Sequence, residues 1–398
     1  MKNNTNVNFN WETLMEQNLS PKDNYSLLEN NGLNVFPGFC DVHVHFREPG
    51  FSYKETIETG SKASARGGYT AVCTMPNLNP VPDSVEHIKE QLDIIKNSAV
   101  IDVYPYASIT VNQKGEVLSD MDGLKNYCIA YSDDGRGVQK EEMIVSAMKK
   151  AKELDKLLVC HCEDNSLLHG GYIHDGEYAK AHGHKGICSE SEYGQIARDL
   201  KLLEKIDCAY HVCHVSTKES VELIRQAKKQ GLNVTCETGP HYLILDDSYL
   251  EEDGRFKMNP PLRSKEDREA LIEGVVDGTI DMIATDHAPH SKEEKSKGLK
   301  DSAFGVVGIE TAFPLLYTYL VKKNIISLDK LVEIMSFNPA MRFNINMENH
   351  FSVWDLDKKY KINSNDFISK GKSTPFEGYE VYGENLLTVM NGKIVYKK

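Results

Sequence analysis

Residues 35–50 read VFPGFCDVHVHFREPG, an apolar, β-branched run that ends in two histidines and an arginine. Alternate side chains of a strand share a face, so His43 and His45 point together and Arg47 follows them out of the strand end. A single strand histidine is ordinarily a packed, hydrogen-bonded core group. Two imidazoles on one face at this spacing suit a shared metal centre.

The layout repeats. Apolar runs at 70–75, 101–109, 128–132, 157–161, 208–215, 233–238 and 280–285 also end in polar residues. Charged stretches of helical period lie between them, at 53–66, 85–97, 140–154, 190–205, 218–230 and 265–277. Eight strand candidates alternating with helices predict parallel βα repeats, and eight is the number that closes a barrel. The competing architecture, a doubly wound sheet, gathers its polar groups at one switch point. Here they are spread over nearly every run: His43, His45 and Arg47, then Asn77, Asp134, His161, His214, His241, Asp286 and His290. Convergence from many strand ends is the barrel pattern. No glycine-rich phosphate loop of the G-x-G-x-x-G or G-x-x-x-x-G-K kind is present.

The expected fold is therefore α/β, a (β/α)8 TIM-type barrel over residues 35–345. Residues 346–398 change texture, with strand-like SVWDL, YEVYG and LLTVMNGKIVYK and an Asn-Gly turn at Asn391-Gly392, and predict a small β appendage. Residues 1–34 are a divergent polar leader that could contribute to that appendage.

Composition narrows the partners. Lys+Arg 46 against Asp+Glu 59 gives a net charge of −13, which repels nucleic acid and anionic membrane at long range. The longest uncharged apolar stretch, 313–321, falls far short of the roughly 20 residues of a membrane helix. No apolar h-region marks a secretory signal in the first thirty residues. The nine cysteines lie singly inside apolar runs, as reduced, buried thiols of a cytoplasmic protein would. Cys160 and Cys162 flank His161 but face the opposite way on a strand, so they are not expected to share a metal with it.

His161 and His214 end successive runs, Asp286 ends the last within TDHAPH (285–290), and Asp134 begins a turn in SDDG (132–135). Each has an ordinary explanation alone: a turn with Gly135, a buried imidazole, a helix N-cap. Four imidazoles and two carboxylates, all at strand ends, are instead the ligand set of zinc or a similar divalent ion.

These residues are recognisable. PGFCDVHVHFREPG, ETIETGSKASARGGYTAVCTMPNLNPVPD, SDDGRGVQ, HCED, HVCHVSTKES, GPHYL, KMNPPLRS, TDHAPH and AFGVVGIE follow one another between residues 37 and 310. With this set the chain resembles the amidohydrolase superfamily, and within it the class I (bacterial type) dihydroorotases, from about residue 35 to the C-terminus. The resemblance implies two divalent metal ions, most simply Zn2+. His43, His45 and Asp286 would hold the first, His161 and His214 the second, and Asp134, favoured over Asp133 by the family's spacing, would bridge them. It implies that Arg47, Asn77 and His290, with His45, hold the substrate's α-carboxylate and neighbouring atoms. Asn259, Phe304 and Gly305 would contact the pyrimidine ring, the last two by backbone.

The implied reaction is the reversible closure of N-carbamoyl-L-aspartate to L-dihydroorotate in de novo pyrimidine biosynthesis, by a bridging hydroxide with Asp286 as acid and base. Arg47 and the ions would make a local anion site in an acidic protein. Hydantoinases, dihydropyrimidinases and allantoinases resemble one another in bridging their metals with a carboxylated lysine. YCIAYSDDG (127–135) contains none, and Lys125 lies before the strand. The competing functions are such a cyclic amidase, or an inactive scaffold for aspartate transcarbamoylase. The implied partners are a small-molecule substrate, a second copy of the chain in a homodimer, and association with aspartate transcarbamoylase.

Three further features stay open. His211 is expected to pack or to support the ligands from behind. His182 and His184 lie on an excursion after HCED, and the charged run 291–303 is either a solvated loop or a cover over the substrate that positions Phe304 and Gly305.

Overall fold

The computed structural model describes residues 32–398; the first part of the polar leader, residues 1–31, lies outside them. The run 35–50 does not form one strand. It breaks at Gly38, where a Cβ would meet the Thr70 hydroxyl oxygen at 2.1 Å. The pieces are β1 (Asn34–Pro37) and β2 (Phe39–Val44).

Strand β2 pairs in parallel with β3 (Tyr69–Thr74), and β3 with β4 (Asp102–Pro105). After β5 (Leu158–Cys160) comes a small two-stranded excursion, β6 (Ile173–His174) and β7 (Gly186–Ile187). The wall resumes as β5 pairs with β8 (Tyr210–Val212), β8 with β9 (Val234–Thr238) and β9 with β10 (Met282–Ile283), all parallel. Tyr131 links the two halves, paired in parallel with Ala107 on one side and Leu158 on the other. A parallel bridge from Val44 to His287 closes the ring. This is the (β/α)8 barrel.

The expected strand 128–132 is thus reduced to a single bridging position. Asp133 explains why: its Oδ1 accepts the N–H groups of Ile109 and Thr110, at 2.8 and 3.1 Å, in place of a continued ladder. The helices follow the predicted stretches closely. The first expected helix begins later, at Ile57–Arg66, because Thr56 caps it in a reciprocal box with Thr59.

The appendage is an antiparallel sheet in the order β1, β11 (His350–Lys361), β12 (Glu380–Met390), β13 (Lys393–Lys397). Residues 34–37 therefore belong to this sheet and not to the barrel where the sequence reading put most of them. YEVYG and LLTVM are parts of one strand, β12. Trp354 fastens sheet to barrel, 1% exposed, with its ring centroid 4.3 Å from Phe313 and 5.9 Å from Phe39. All nine cysteines are free thiols, eight of them buried. No helix among the described residues is long and apolar enough to cross a membrane.

Candidate active site

The strand ends converge. His43 lies on β2 and His45 directly follows it, His161 follows β5, His214 follows β8, and Asp286 follows β10, all buried. Asp134, from the loop after Tyr131, lies among them. Its Oδ1 is 3.3 Å from His43 Nε2 and 3.6 Å from both His161 Nδ1 and His214 Nε2, and its Oδ2 is 3.5 Å from His45 Nε2. Asp286 Oδ1 is 3.0 Å from His45 Nε2 and 3.5 Å from His43 Nε2. Asp133 points away, toward the N–H groups of Ile109 and Thr110, so Asp134, the one that the family's spacing favoured, is the one that enters the cluster.

These separations suit metal ligands. Tetrahedral ligands at about 2.0–2.1 Å from zinc stand roughly 3.3–3.4 Å apart. Two atoms support the fit directly: His43 Nε2 and Asp134 Oδ1 are buried and have no hydrogen-bond partner, and a divalent ion would satisfy both. Ligand atoms of His43, His45 and Asp286, and those of His43, Asp134 and His214, lie within 4.8 Å of one another.

The electrostatics agree. Burial would raise the carboxyl of Asp134, yet His43, His161 and His214 hold it well below the usual carboxylate range. Burial would push the His43 imidazole down, but Asp134 and Glu237 raise it well above its ordinary value. Buried carboxylates that draw a proton onto an imidazole this strongly form a site built for positive charge.

A surrounding layer fixes the rings. His45 Nδ1 is 2.9 Å from Asn77 Oδ1, and His43 Nδ1 is 2.6 Å from Glu237 Oε1. Both oxygens only accept, so each Nδ1 carries a proton toward its support and each Nε2 is the nitrogen that faces the cluster. Glu237 also takes His211 Nε2 at 3.1 Å, which makes His211 a supporting group behind the ligands. Asp41 accepts the Thr285 hydroxyl at 2.6 Å and the His43 N–H at 3.1 Å, tying β2 to the segment after β10. Sequence reasoning missed Glu237, Asp41 and Glu163. Glu163, within HCED, and Asp41, within DVHVH, each carried a signal as an acid two residues from a cluster histidine; Glu237 carried none.

Strain concentrates here as well. Arg47, His214 and Asp286 all have positive φ, at 61, 30 and 47°, a conformation that L residues hold only when the surroundings impose it.

The cluster opens into a cavity of about 190 Å³ lined in part by Arg47, Asn77, Asn259, His290, Phe304 and Gly305, so every expected substrate residue reaches it. Arg47 Nε donates to Pro289 O at 3.2 Å. His290 Nε2 is 2.7 Å from Phe304 O, and Lys54 Nζ is 3.3 Å from its Nδ1. A lysine can only donate, so Nδ1 accepts and Nε2 carries the proton. Burial, with Arg47 and Lys54 beside it, pushes this imidazole down to about 3, which keeps it neutral. Asn259 Nδ2 donates to Glu163 Oε1 at 2.8 Å. Gly305 takes a φ of 128°, and a Cβ there would meet Ala288 Cβ at 2.7 Å. Its N–H donates to Lys257 O at 3.0 Å. With Phe304 O held by His290, the Phe304 N–H and the Gly305 carbonyl are the backbone groups without partners among the described residues.

Residues outside the cavity fall as follows. Lys125 is exposed. His241 is buried near Asp286 and pushed down to about 4 by burial. His184 binds Glu252 at 2.6 Å, and His182 stacks on Tyr178. The run 291–303 is folded, with short helices at Lys292–Lys295 and Gly298–Asp301.

Three comparisons bear on this geometry. Residues 32–220 match the family model described as dihydro-orotase-like. A protein named dihydroorotase from Fusobacterium nucleatum is 54% identical over 370 residues, covering 91% of this chain and 87% of that one. One of the same name from Bacillus cereus is 49% identical over 385 residues, covering 94% and 90%. Among solved structures, an L-hydantoinase from Arthrobacter aurescens superposes with a TM-score of 0.82 at 26% identity, over 92% of this chain and 86% of that one. A dihydropyrimidinase from Brevibacillus agri, with a TM-score of 0.79 at 23% identity, covers 92% and 85% and shares the fold.

Proposed function

The chain belongs to the dihydroorotases of the amidohydrolase superfamily, cyclic amide hydrolases, and from that premise we propose that it interconverts N-carbamoyl-L-aspartate and L-dihydroorotate at this cluster, within de novo pyrimidine biosynthesis. The observation that carries the reading is Asp134, a carboxylate amid four imidazoles, together with Arg47 at the cavity wall. Two zinc ions, held by His43, His45 and Asp286 on one side and His161 and His214 on the other with Asp134 between, would polarise the amide carbonyl and make water nucleophilic near neutral pH.

The chain's own residues supply binding and proton transfer. The Arg47 guanidinium, the Asn77 amide and neutral His290 bind the α-carboxylate and adjacent atoms. Asn259, the Phe304 N–H and the Gly305 carbonyl orient the ring. Burial would raise the Asp286 carboxyl, but His45 and His43 hold it below its ordinary value, so it is ionised and able to accept a proton. In hydrolysis Asp286 takes one proton of the attacking water and delivers it to the departing ring nitrogen, and the new carboxyl loses the other to solvent. In ring closure it takes the ureido proton and passes it to the departing carboxylate oxygen, which leaves as water with a second proton from solvent.

The hydantoinase reading is favoured by the structural neighbours. Against it stand Asp134 in the bridging place and a guanidinium suited to a free carboxylate. An inactive scaffold is the third reading, and the intact ligand set argues against it. A homodimer, association with aspartate transcarbamoylase and a cytoplasmic location complete the proposal; sedimentation of the chain alone and mixed with that enzyme tests the first two.

The test is metal content and turnover on one purified sample, with L-dihydroorotate, hydantoin and allantoin assayed together. About two zinc ions per chain and turnover of dihydroorotate alone are expected, with Asp286→Asn inactive and Arg47→Gln raised in KM. Turnover of hydantoin or allantoin alone would overturn the substrate. Loaded metal with no turnover would favour the scaffold.

A further inference from the structure

Lys295 is 6% exposed, and no carboxylate among the described residues lies close enough to form an ion pair with it. Its Nζ donates to two backbone carbonyls, Lys257 O at 2.9 Å and Ala303 O at 2.7 Å. An ammonium taken out of water without a counter-ion is costly, and such a group persists where its hydrogen bonds hold something together. What these bonds join is specific. Lys257 precedes Asn259 by two residues, and Ala303 directly precedes Phe304, so the two carbonyls belong to two adjoining segments that both lead into the cavity lining.

The neighbouring bonds continue the tie. Lys257 O also receives the Gly305 N–H at 3.0 Å. Ala303 N donates to Glu294 O at 2.9 Å, and Lys257 Nζ donates to Lys300 O at 2.7 Å while lying 4.5 Å from the centroid of the Phe304 ring. Phe304 O is held by His290. Three consecutive residues, Ala303 to Gly305, are each fixed through a backbone group, and Lys295 is the side chain that joins their segment to the Lys257 wall.

Resting on the dihydroorotase reading, we infer that Lys295 is a positioning residue for substrate: it locks the Phe304–Gly305 backbone against the Asn259 wall, so that the ring-binding groups are in place before the ligand arrives. It touches neither metal ligands nor reacting atoms. Burial, with Lys257 beside it and Asp253 and Glu294 opposing, brings its ammonium down to about 7, in keeping with a strained charge held by geometry.

The test is Lys295→Met, which keeps the stem and removes the donor. The KM for L-dihydroorotate should rise about tenfold or more with kcat within about threefold of native, as for loss of binding shared by ground and transition states. Metal content should be unchanged. Hydrogen exchange of the ligand-free protein supplies the direct readout: the 300–306 segment should exchange about tenfold faster, while the 39–47 segment does not change. Native KM and native exchange would overturn the inference. So would equal loss of kcat and metal, which would mark a merely structural lysine. Should the methionine variant not fold, Lys295→Gln decides, because it keeps an amide donor and should give an intermediate KM; a native KM would refute the tie. Dihydroorotate turnover by the native chain is the control. Its failure would remove the functional reading, while the exchange data would still judge the lysine.

Discussion

Replacing Glu237 by Gln should weaken metal binding by about tenfold, and replacing it by Leu by about a hundredfold, the two ends of the range usual for loss of a group behind a metal-bound histidine. The grading comes from the contacts. Glu237 is fully buried on β9. Its Oε1 lies 2.6 Å from His43 Nδ1 and accepts the His214 N–H at 3.3 Å, and its Oε2 faces His211 Nε2 at 3.1 Å. Burial would raise this carboxyl, but His43 and His211 hold it well below its ordinary value. It therefore acts as an ionised acceptor that obliges His43 to carry its proton on Nδ1 and present Nε2 inward. A glutamine oxygen can still accept from Nδ1–H. Its amide nitrogen would face His211 Nε2, and His211 can answer by moving its own proton to Nδ1, 2.8 Å from the Thr235 hydroxyl. The geometry survives and only the charge is lost, about 1.4 kcal/mol for a tenfold change. Leucine removes the acceptor as well, frees the His43 tautomer and loses about 2.7 kcal/mol. Competition with a chromophoric chelator measures both constants on protein whose fold is checked by circular dichroism. Affinities for both variants within twofold of native, or glutamine weaker than leucine, would refute the account of how His43 is held.

Two further outcomes follow from groups away from the cluster. His174 is 9% exposed and pushed down to about 4, chiefly by burial and then by Arg263, so between its unfolded value near 6.5 and about 4 the unfolded chain binds the extra proton. Stability present above about pH 6.5 should decline as pH falls towards 4, by up to about 3 kcal/mol, and urea titrations of His174→Gln should show a shallower fall; identical slopes would refute it. Trp354→Ala should cost about 3–5 kcal/mol through the cavity left against Phe313 and Phe39. Urea unfolding reads that loss, and a change below about 1 kcal/mol would show that the appendage is not fastened through this ring.

Sequence by itself determined the βα alternation, the barrel and the six residues that the fold brings into one cluster. Strand and helix periods are local, and a ligand at the end of an apolar run announces itself within a few residues, as His43 and His45 do. The set of motifs then narrowed the chemistry, because each wall contributes its own short string. The family's spacing favoured Asp134 over Asp133, but only tertiary structure gave the physical reason: Asp133 is turned aside by the N–H groups of Ile109 and Thr110, more than twenty residues away. Tertiary structure alone gave Asn34–Pro37 to the appendage, since pairing with β11 joins residues over three hundred positions apart. The contacts of Glu237, Asp41 and Lys295 were invisible for the same reason. Their partners, at His43, Thr285, and Lys257 with Ala303, are brought beside them only when the barrel closes, and a buried charge has meaning only through the groups that closure places around it.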